Sequence, residues 1–514
     1  TGTLTRLSRR TMLAGLAGGS AAALVGTTRA ASGSYDVVVD LVDEGADPDG
    51  NESIVPLLNE LAADDTRIDL PSGEYLMTEQ FRFTDYRNLA IVGDDATIVP
   101  GTVEEMEGRT ATAGTFGGPT RLFRLGVSYA PGDELRFEGL TFDFTADNSG
   151  FRAIEAYVKR DMLVRDVDVT GRHDLASFGP ALFSVTDPDG ISTVEGFRAP
   201  DGGVNAVDAI GGDPNGPTGI LVPQSHEGKL WLRDCELGGF PDNGVYASCP
   251  NGRVVVKGGT FKNSDVSNVR LYGDYSYLKD ATVVVDESHD GFDNQRGVRL
   301  DQGKHLWVYD TTIRLDEPNG DAITVMGGVD SARIQQSEIT VGDAVNDAIV
   351  VEPGAGRTDI YHTDVEMTTG GQAIQIEPAS DGGGIVDCLY VTITGDASGS
   401  PGGRHAIRCE RDGCLFRHLV VKQPGPNFRR GLQVSGRDCY VYSGYYGTSH
   451  IPIVNDGDDT LIEDVTARSL DGYEALKLLD HTSDVDVVSN KLYNGVWDKG
   501  SDDLYMTDNE FPSG

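Results

Sequence analysis

Nine side chains stand at spacings that could do chemistry. Arg270 and Tyr272, Arg299 and Asp301, and Arg408 and Glu410 are each two residues apart, and Glu352, Glu377 and His305 fall in similar apolar alternations. In an extended strand, residues two apart share a face. If the segments stack, Glu352, Glu377 and Glu410 form a vertical column at about 4.8 Å per rung. Like charges that close raise at least one pKa unless a cation intervenes. Two chemistries fit. An inverting glycosidase needs two carboxyls about 6.5–9.5 Å apart. Asp301 and Glu352 are two rungs apart, about 9.6 Å at the backbone, and side-chain lean can close the rest. A lyase needs a base and a positive group or metal beside a uronate carboxylate. Arg270, Arg299, Tyr272 and His305 could share those roles, with Glu352, Glu377 and Glu410 holding Ca²⁺, the one candidate ion. The expected catalytic set is Arg299, Asp301, Glu352 and His305. The expected substrate-binding set is Arg270, Tyr272, Glu377, Arg408 and Glu410.

Other candidates carry less. Ser288-His289-Asp290 with Asp293, Gly171-Arg172-His173-Asp174 and Gly403-Arg404-His405 read as loops that could carry a histidine. The nine histidines show no zinc-type spacing. No nucleophile elbow, phosphate loop or dinucleotide fingerprint occurs. Six cysteines lack any Cys-x-x-Cys pair, and Cys388, Cys414 and Cys439 fall at matching places in their segments. That predicts a stacked core ladder of thiols, with room for one disulfide between adjacent rungs. Tyr440, Tyr442, Tyr445 and Tyr446 form the densest aromatic cluster, able to stack on sugar rings or on one another.

The elements that must hold these residues are a repeat. Apolar alternations start at Gly219, Gly244, Asn268, Gly297, Ala322, Ala348, Ala373, Ala406 and Gly431, spaced 24 to 33 residues apart, with a weaker copy at Ala475. Each unit reads strand, Gly/Asp/Asn turn, second strand, turn, without a helix-length apolar stripe. Strand-only coils of this length predict an all-β fold, a right-handed single-stranded parallel β-helix. Propeller blades need about 40–50 residues, and no leucine-rich signature is present. The second and fourth positions of each coil should fill the core. The third and fifth should face out, as two ladders that carry eight of the nine candidates, with His305 opening the second strand of its unit.

Ahead of the repeat, Ser8-Arg9-Arg10-Thr11-Met12-Leu13 precedes an Ala/Gly/Leu run and the small residues Ala30-Ala31. This resembles a twin-arginine export signal over 1–31, with the mature chain secreted and without a later membrane span. Residues 32–100 read as a cap and first coils, 101–120 as a loop or insertion, and 121–514 as coils with a short tail. In the cap, Gly45-Ala46-Asp47-Pro48 leads to Ser53, positioned to cap a helix with a face of Ile54, Leu57, Leu58 and Leu61. Ile68-Asp69-Leu70 and Pro71-Ser72-Gly73-Glu74-Tyr75 follow. This arrangement resembles the N-terminal motif of the pectate-lyase-like superfamily, which includes polygalacturonase-type hydrolases, polysaccharide lyases and phage tailspike enzymes. The resemblance implies a short helix capping the open end of the β-helix and a carbohydrate-active protein, monomeric or, as in phage spikes, trimeric. The polygalacturonase motifs Asn-Thr-Asp, Gly-His-Gly and Arg-Ile-Lys are absent, so it carries over no catalytic residue.

Composition narrows the partners. The 514 residues hold 81 Asp+Glu against 42 Lys+Arg, a net charge of −39, with 39% apolar residues and 66 glycines. The apolar share excludes a disordered chain. The charge argues against nucleic acid and anionic membranes. Such acidity resembles that of extreme halophiles, where surface carboxylates hold water and ions. Two functions are expected: a secreted lyase or glycoside hydrolase acting on an acidic polysaccharide, or a non-catalytic surface or matrix protein that binds one.

Overall fold

The computed structural model describes residues 35–514, apart from 102–110, 113–114, 117–120, 176–178, 205–216, 289–293, 318, 343, 381–382 and 400–402. The expected export segment lies outside the described residues, as do His289, Asp290 and Asp293.

Alternating apolar residues make short strands, three to a coil. Asn243–Ala247, Arg253–Lys257 and Thr260–Lys262 form one coil. Each pairs in parallel with its counterpart one coil on: Ser267–Tyr272, Tyr277–Lys279 and Thr282–Val285. Repeated along the chain, this builds three sheets, called first, second and third here, in a parallel β-solenoid of about 16 turns. Among the described residues the one antiparallel strand pair is Ala111–Thr112 with Thr115–Phe116, inside the expected insertion.

The core follows the expected register. Val245, Val269, Val298, Ile323, Ile349, Ile374, Ile407 and Leu432 stack directly in the first sheet, and all are fully buried. Burying each such side chain stabilises by about 1.5–3 kcal/mol. Near the N-terminus the section is filled by phenylalanines instead, with Phe123 5.2 Å from Phe137 and 6.0 Å from Phe81 and Phe142.

One residue turns the chain from the second sheet to the third. Asp234, Asp280, Asp310, Gln336, His362, Tyr390, His418 and Asp464 all sit there with φ between 48 and 56°. Asp tolerates this left-handed conformation better than most residues. Gly258 occupies the same turn at φ 70°, where a Cβ would come within 2.0 Å of Asp234 Oδ1, a clash that glycine avoids.

Two local expectations need correction. The helix Val55–Leu61 caps the solenoid, but Ile54, not Ser53, is its N-cap, without a side-chain bond. Ser53 closes the strand Asp49–Ser53 and pairs with Leu76, so its backbone belongs to the sheet. Its Oγ accepts only long bonds, 3.4 Å, from the N–H groups of Val55 and Thr78. The six cysteines are free and buried, and only two of the three expected partners align. Tyr440 pairs with Leu415, which puts Cys439 beside Cys414. Cys388 stacks instead between Ile360 and Phe416. Phe416 fills the core position beneath Cys388, which leaves Cys414 two residues out of line.

Candidate functional site

The first sheet carries most of the expected site residues on its outer face. Asp301 lies in a bulge: Leu271 pairs with Leu300, but Tyr272 pairs with Gln302. The expected Tyr272–Asp301 column is therefore broken by one residue. Asp301 is held by two guanidinium groups. Arg299 reaches Oδ1 at 2.7 Å and Arg270 reaches Oδ2 at 2.7 Å. Arg270 also lies over the Tyr246 ring, 4.3 Å from its centroid. Arg408 pairs with Glu410 at 2.8 Å, and Gln375 Nε2 donates to the other oxygen at 3.3 Å. Glu352 leans toward the preceding rung, where its Oε2 accepts the Gly327 N–H at 3.0 Å.

Glu377 differs from its neighbours. Its backbone carbonyl accepts from Arg411, but its carboxyl meets no donor among the described residues. Burial, reinforced by Glu352 and Glu410, raises its pKa. The expected column of three glutamates therefore exists. Among the described residues, however, no three His, Cys, Asp or Glu side chains converge as metal ligands.

His305 is not on this face. It lies past Gly303 in an exposed turn with φ 56°. There its ring packs 5.0 Å from Tyr275 and its Nδ1 faces Ser331 Oγ at 3.3 Å. The chain has already turned toward the second sheet, which carries the imidazole away from Arg299. The tyrosine cluster lies on the strand Tyr440–Thr448, which crosses from the second sheet to the third at Ser443. Tyr440 and Tyr442 stack at 5.5 Å, while Tyr446 is buried.

Two carboxylates missing from the expected set complete the face. Asp321 and Asp347 each precede a coil's small first residue, Ala322 and Ala348, and sit on adjacent rungs. Burial raises both. Asp347 rises from 3.8 to about 6; backbone bonding by Gln372 opposes the shift, and Asp321 adds to it. The Gln372 N–H donates to Asp347 Oδ1 at 2.6 Å. Arg296 Nε donates to Thr324 Oγ1 at 3.0 Å, and that hydroxyl donates to Asp321 at 3.2 Å. The repeated Asp-Ala-Ile, 26 residues apart, was the available sequence signal.

These residues outline a trough. Its floor is short side chains, Thr324 and Val350, with Gln375 beside them. One rim is Asp321 and Asp347; the other is Glu352 and Glu377. Asp321 is raised in part by Glu352, and Glu377 in part by Asp321, so the rims share one electrostatic space. Arg299 closes one end and Arg408 the other.

Further cations lie on the C-terminal rungs of the same face. Burial, then Arg404, pushes Arg430 down to about 10. Burial, then Lys499 and Arg430, lowers Lys477. The imidazoles of His405 and His450 are pushed down to about 3 and about 4, by burial first and Arg430 second. Both are neutral at pH 7, and His450 Nδ1 accepts from Arg430 Nε at 2.9 Å. Two hollows of the described surface lie elsewhere. One is lined by Asp459, Asp484, Asp486 and Asp503; the other lies beside the cap helix. No described helix is long and apolar enough to cross a membrane.

No family model matches the chain, and no curated protein matches it significantly. Several solved structures do. The catalytic unit of a thermostable alpha-1,3-glucanase from Streptomyces thermodiastaticus aligns at 11% identity and TM-score 0.30, covering 92% of this chain and 68% of that one. The surface adhesin PfbA of Streptococcus pneumoniae aligns at 9% identity and TM-score 0.30, covering 92% of each chain. The A-module of an Azotobacter vinelandii mannuronan C-5 epimerase aligns at 8% identity and TM-score 0.22, covering 92% and 99%. These neighbours include both carbohydrate-active enzymes and an adhesin. Similarity this low carries no argument about what this chain does.

Proposed function

We propose that the protein is an exported glycoside hydrolase and that the trough between the Asp321–Asp347 and Glu352–Glu377 rims cleaves an acidic polysaccharide. The observation that carries this reading is the raised pair Asp321 and Asp347, the latter to about 6, with Glu352 close enough across the trough to add to the shift of Asp321. A carboxyl raised this far keeps its proton at mildly acidic pH and can serve as a general acid. Asp347 donates its proton to the leaving glycosidic oxygen as the C–O bond breaks. Glu352 takes a proton from the attacking water, and both groups then re-equilibrate with solvent. Arg299 and Asp301, held together with Arg270, serve as a rigid end wall and hold the strand's bulge. Arg404, Arg430 and Lys477 supply positive charge for an anionic chain leaving the trough. A lyase fits less well, because Arg270 and Arg299 are already committed to Asp301 and His305 points elsewhere.

The test is a panel of uronic-acid and neutral polysaccharides, in high salt with and without Ca²⁺. New reducing ends without unsaturated products are expected, abolished in Asp347→Asn and Glu352→Gln. Unsaturated products would overturn hydrolysis in favour of a lyase. A second reading, a non-catalytic surface or matrix protein, draws on the side chains of the first sheet that are already tied up in ion pairs, Arg270, Arg299 and Asp301. Silence across the panel from natively folded protein would establish that reading instead.

A further inference from the structure

The second sheet presents a cationic face on this acidic molecule. Its outer residues on three successive rungs include Lys229 and Arg233, Arg253 and Lys257, and Lys279. Among the described residues, only Lys279 of these has a carboxylate oxygen within 4 Å, Asp280 at 3.7 Å; Glu195, one rung from Arg233, turns to Arg165 instead. The Nε atoms of Arg233 and Arg253 are buried and meet no acceptor. Burial and then the neighbouring Arg253 and Arg233 push Lys229 down to about 8, so the group is short of negative charge.

This is not a general property of the sheet. A few rungs on, Arg333 and Arg357 close on Asp359 at 3.0 and 2.9 Å, and Arg417 closes on Asp387 at 2.6 Å. With 81 acidic residues in the chain, cations such as Lys229, Arg233 and Arg253 on adjacent rungs stand out; Arg404, Arg430 and Lys477 on the first sheet form a second such group.

Aromatic rings fix the cations in place. Lys229 lies 4.1 Å and Arg233 4.6 Å from the Trp231 ring. Arg253 lies over Tyr277 at 5.4 Å and Lys279 over Tyr309 at 4.4 Å. Trp231 and Tyr277 approach edge to face at 6.4 Å, closing over Val255, which is fully buried. Each of the three rings has a cation over it, so the rings orient charge as well as offer apolar surface.

We infer that this face of the second sheet is a binding site for an anionic polysaccharide, separate from the trough on the first sheet. Carboxylate or sulfate groups spaced along a glycan would meet ammonium and guanidinium donors spaced at the rung interval, about 4.8 Å. Single-stranded nucleic acid needs bases stacked on open rings, which the cations here already cover. A long phosphate backbone would also run past the patch onto the acidic surface.

The proposal does not depend on catalysis in the trough, and the experiment separates the two. Binding of full-length protein to alginate, dextran sulfate, neutral dextran and single-stranded DNA is measured by calorimetry, at the lowest salt that keeps the native circular dichroism spectrum. Alginate or dextran sulfate should bind, with neutral dextran inert. Arg233→Ser with Arg253→Ser should weaken that binding by at least about tenfold. Lys257→Glu is the control for folding, because Lys257 is exposed and touches no ring; it should weaken binding in the same sense. All titrations use the Asp347→Asn background, so that cleavage in the trough cannot contribute to the heat. Absent binding, unchanged affinity in Lys257→Glu, or tighter binding to DNA than to either glycan would overturn the assignment.

Discussion

At the scale of single residues, the trough turns on where protons sit. Asp347 titrates near 6 in the folded chain against 3.8 in an unfolded one. The fold therefore holds the proton more tightly than the unfolded state does. Stability contributed by this group falls as pH rises from about 4 to about 6, and the penalty is complete above that range. Asp347 is half-buried, so solvent screening leaves about 1–2 kcal/mol of the full shift. Asp347→Asn removes the charge and keeps an oxygen for the Gln372 N–H. At pH 7.5 it should raise the denaturation midpoint while reducing hydrolysis by about a hundredfold or more. Wild-type kcat should fall as pH rises through about 6, when the acid loses its proton. A variant that loses activity and stability together would show Asp347 to be a structural group. The residue-level reading from sequence was sound where one strand held both partners. Arg299–Asp301 and Arg408–Glu410 are real ion pairs because residues two apart share a face. It missed Asp321 and Asp347 because they precede the apolar run, where alternation no longer reports direction. It misplaced His305 because a turn intervenes.

At the scale of elements, the trough depends on turns that no periodicity describes. Arg411, only 2% exposed, donates to four main-chain carbonyls. Nη2 reaches Glu352 at 2.7 Å and Nε reaches Glu377 at 3.0 Å. Nη1 reaches Ala355 at 3.0 Å and Gly384 at 3.1 Å. One guanidinium thus ties together the backbones that carry the second rim. Arg411→Met would leave buried carbonyls unsatisfied, at roughly 1 kcal/mol or more each. We expect a loss of about 3–5 kcal/mol in chemical denaturation, with hydrogen-exchange protection lost first over residues 352–357 and 377–384. Arg411→Lys should not rescue it, since an ammonium cannot span the same four acceptors. Full stability in Arg411→Met would show that the turns hold themselves. In the sequence Arg411 reads as an ordinary charged turn residue after Glu410, because burial of an arginine depends on which carbonyls converge from distant coils. The cysteines mislead for a related reason. Cys388 and Cys414 look equivalent in their own segments, but register is set by which side chain, here Phe416, fills the layer between rungs.

At the scale of the whole molecule, the solenoid was legible because its signal is repeated many times. One coil's alternation is ambiguous, but several in succession with the same small first residue admit one architecture. Net charge was less informative, because it is a sum: −39 hides the cationic face built from Lys229, Arg233 and Arg253. It does make a prediction about stability. With 81 acids and 42 bases, at least 39 carboxylates have no cation to pair with, and adjacent rungs bring outward residues within about 4.8 Å. The screening length falls from about 10 Å at 0.1 M salt to about 3 Å at 1 M, below the rung spacing. Salt also weakens favourable ion pairs, but the best of these, such as Glu155 among Arg121, Arg124 and Arg152, are buried and little screened. Salt therefore relieves more repulsion than it removes attraction. The midpoint of thermal unfolding should rise steeply between 0.1 and 2 M NaCl, and KCl should act equally, as screening requires. A neutral osmolyte adjusted to the same osmolality should do much less. If a few millimolar CaCl₂ matched molar NaCl, specific cation binding along the Glu352, Glu377 and Glu410 column would be the cause. Glu377→Gln should then abolish the calcium effect and leave the sodium effect intact.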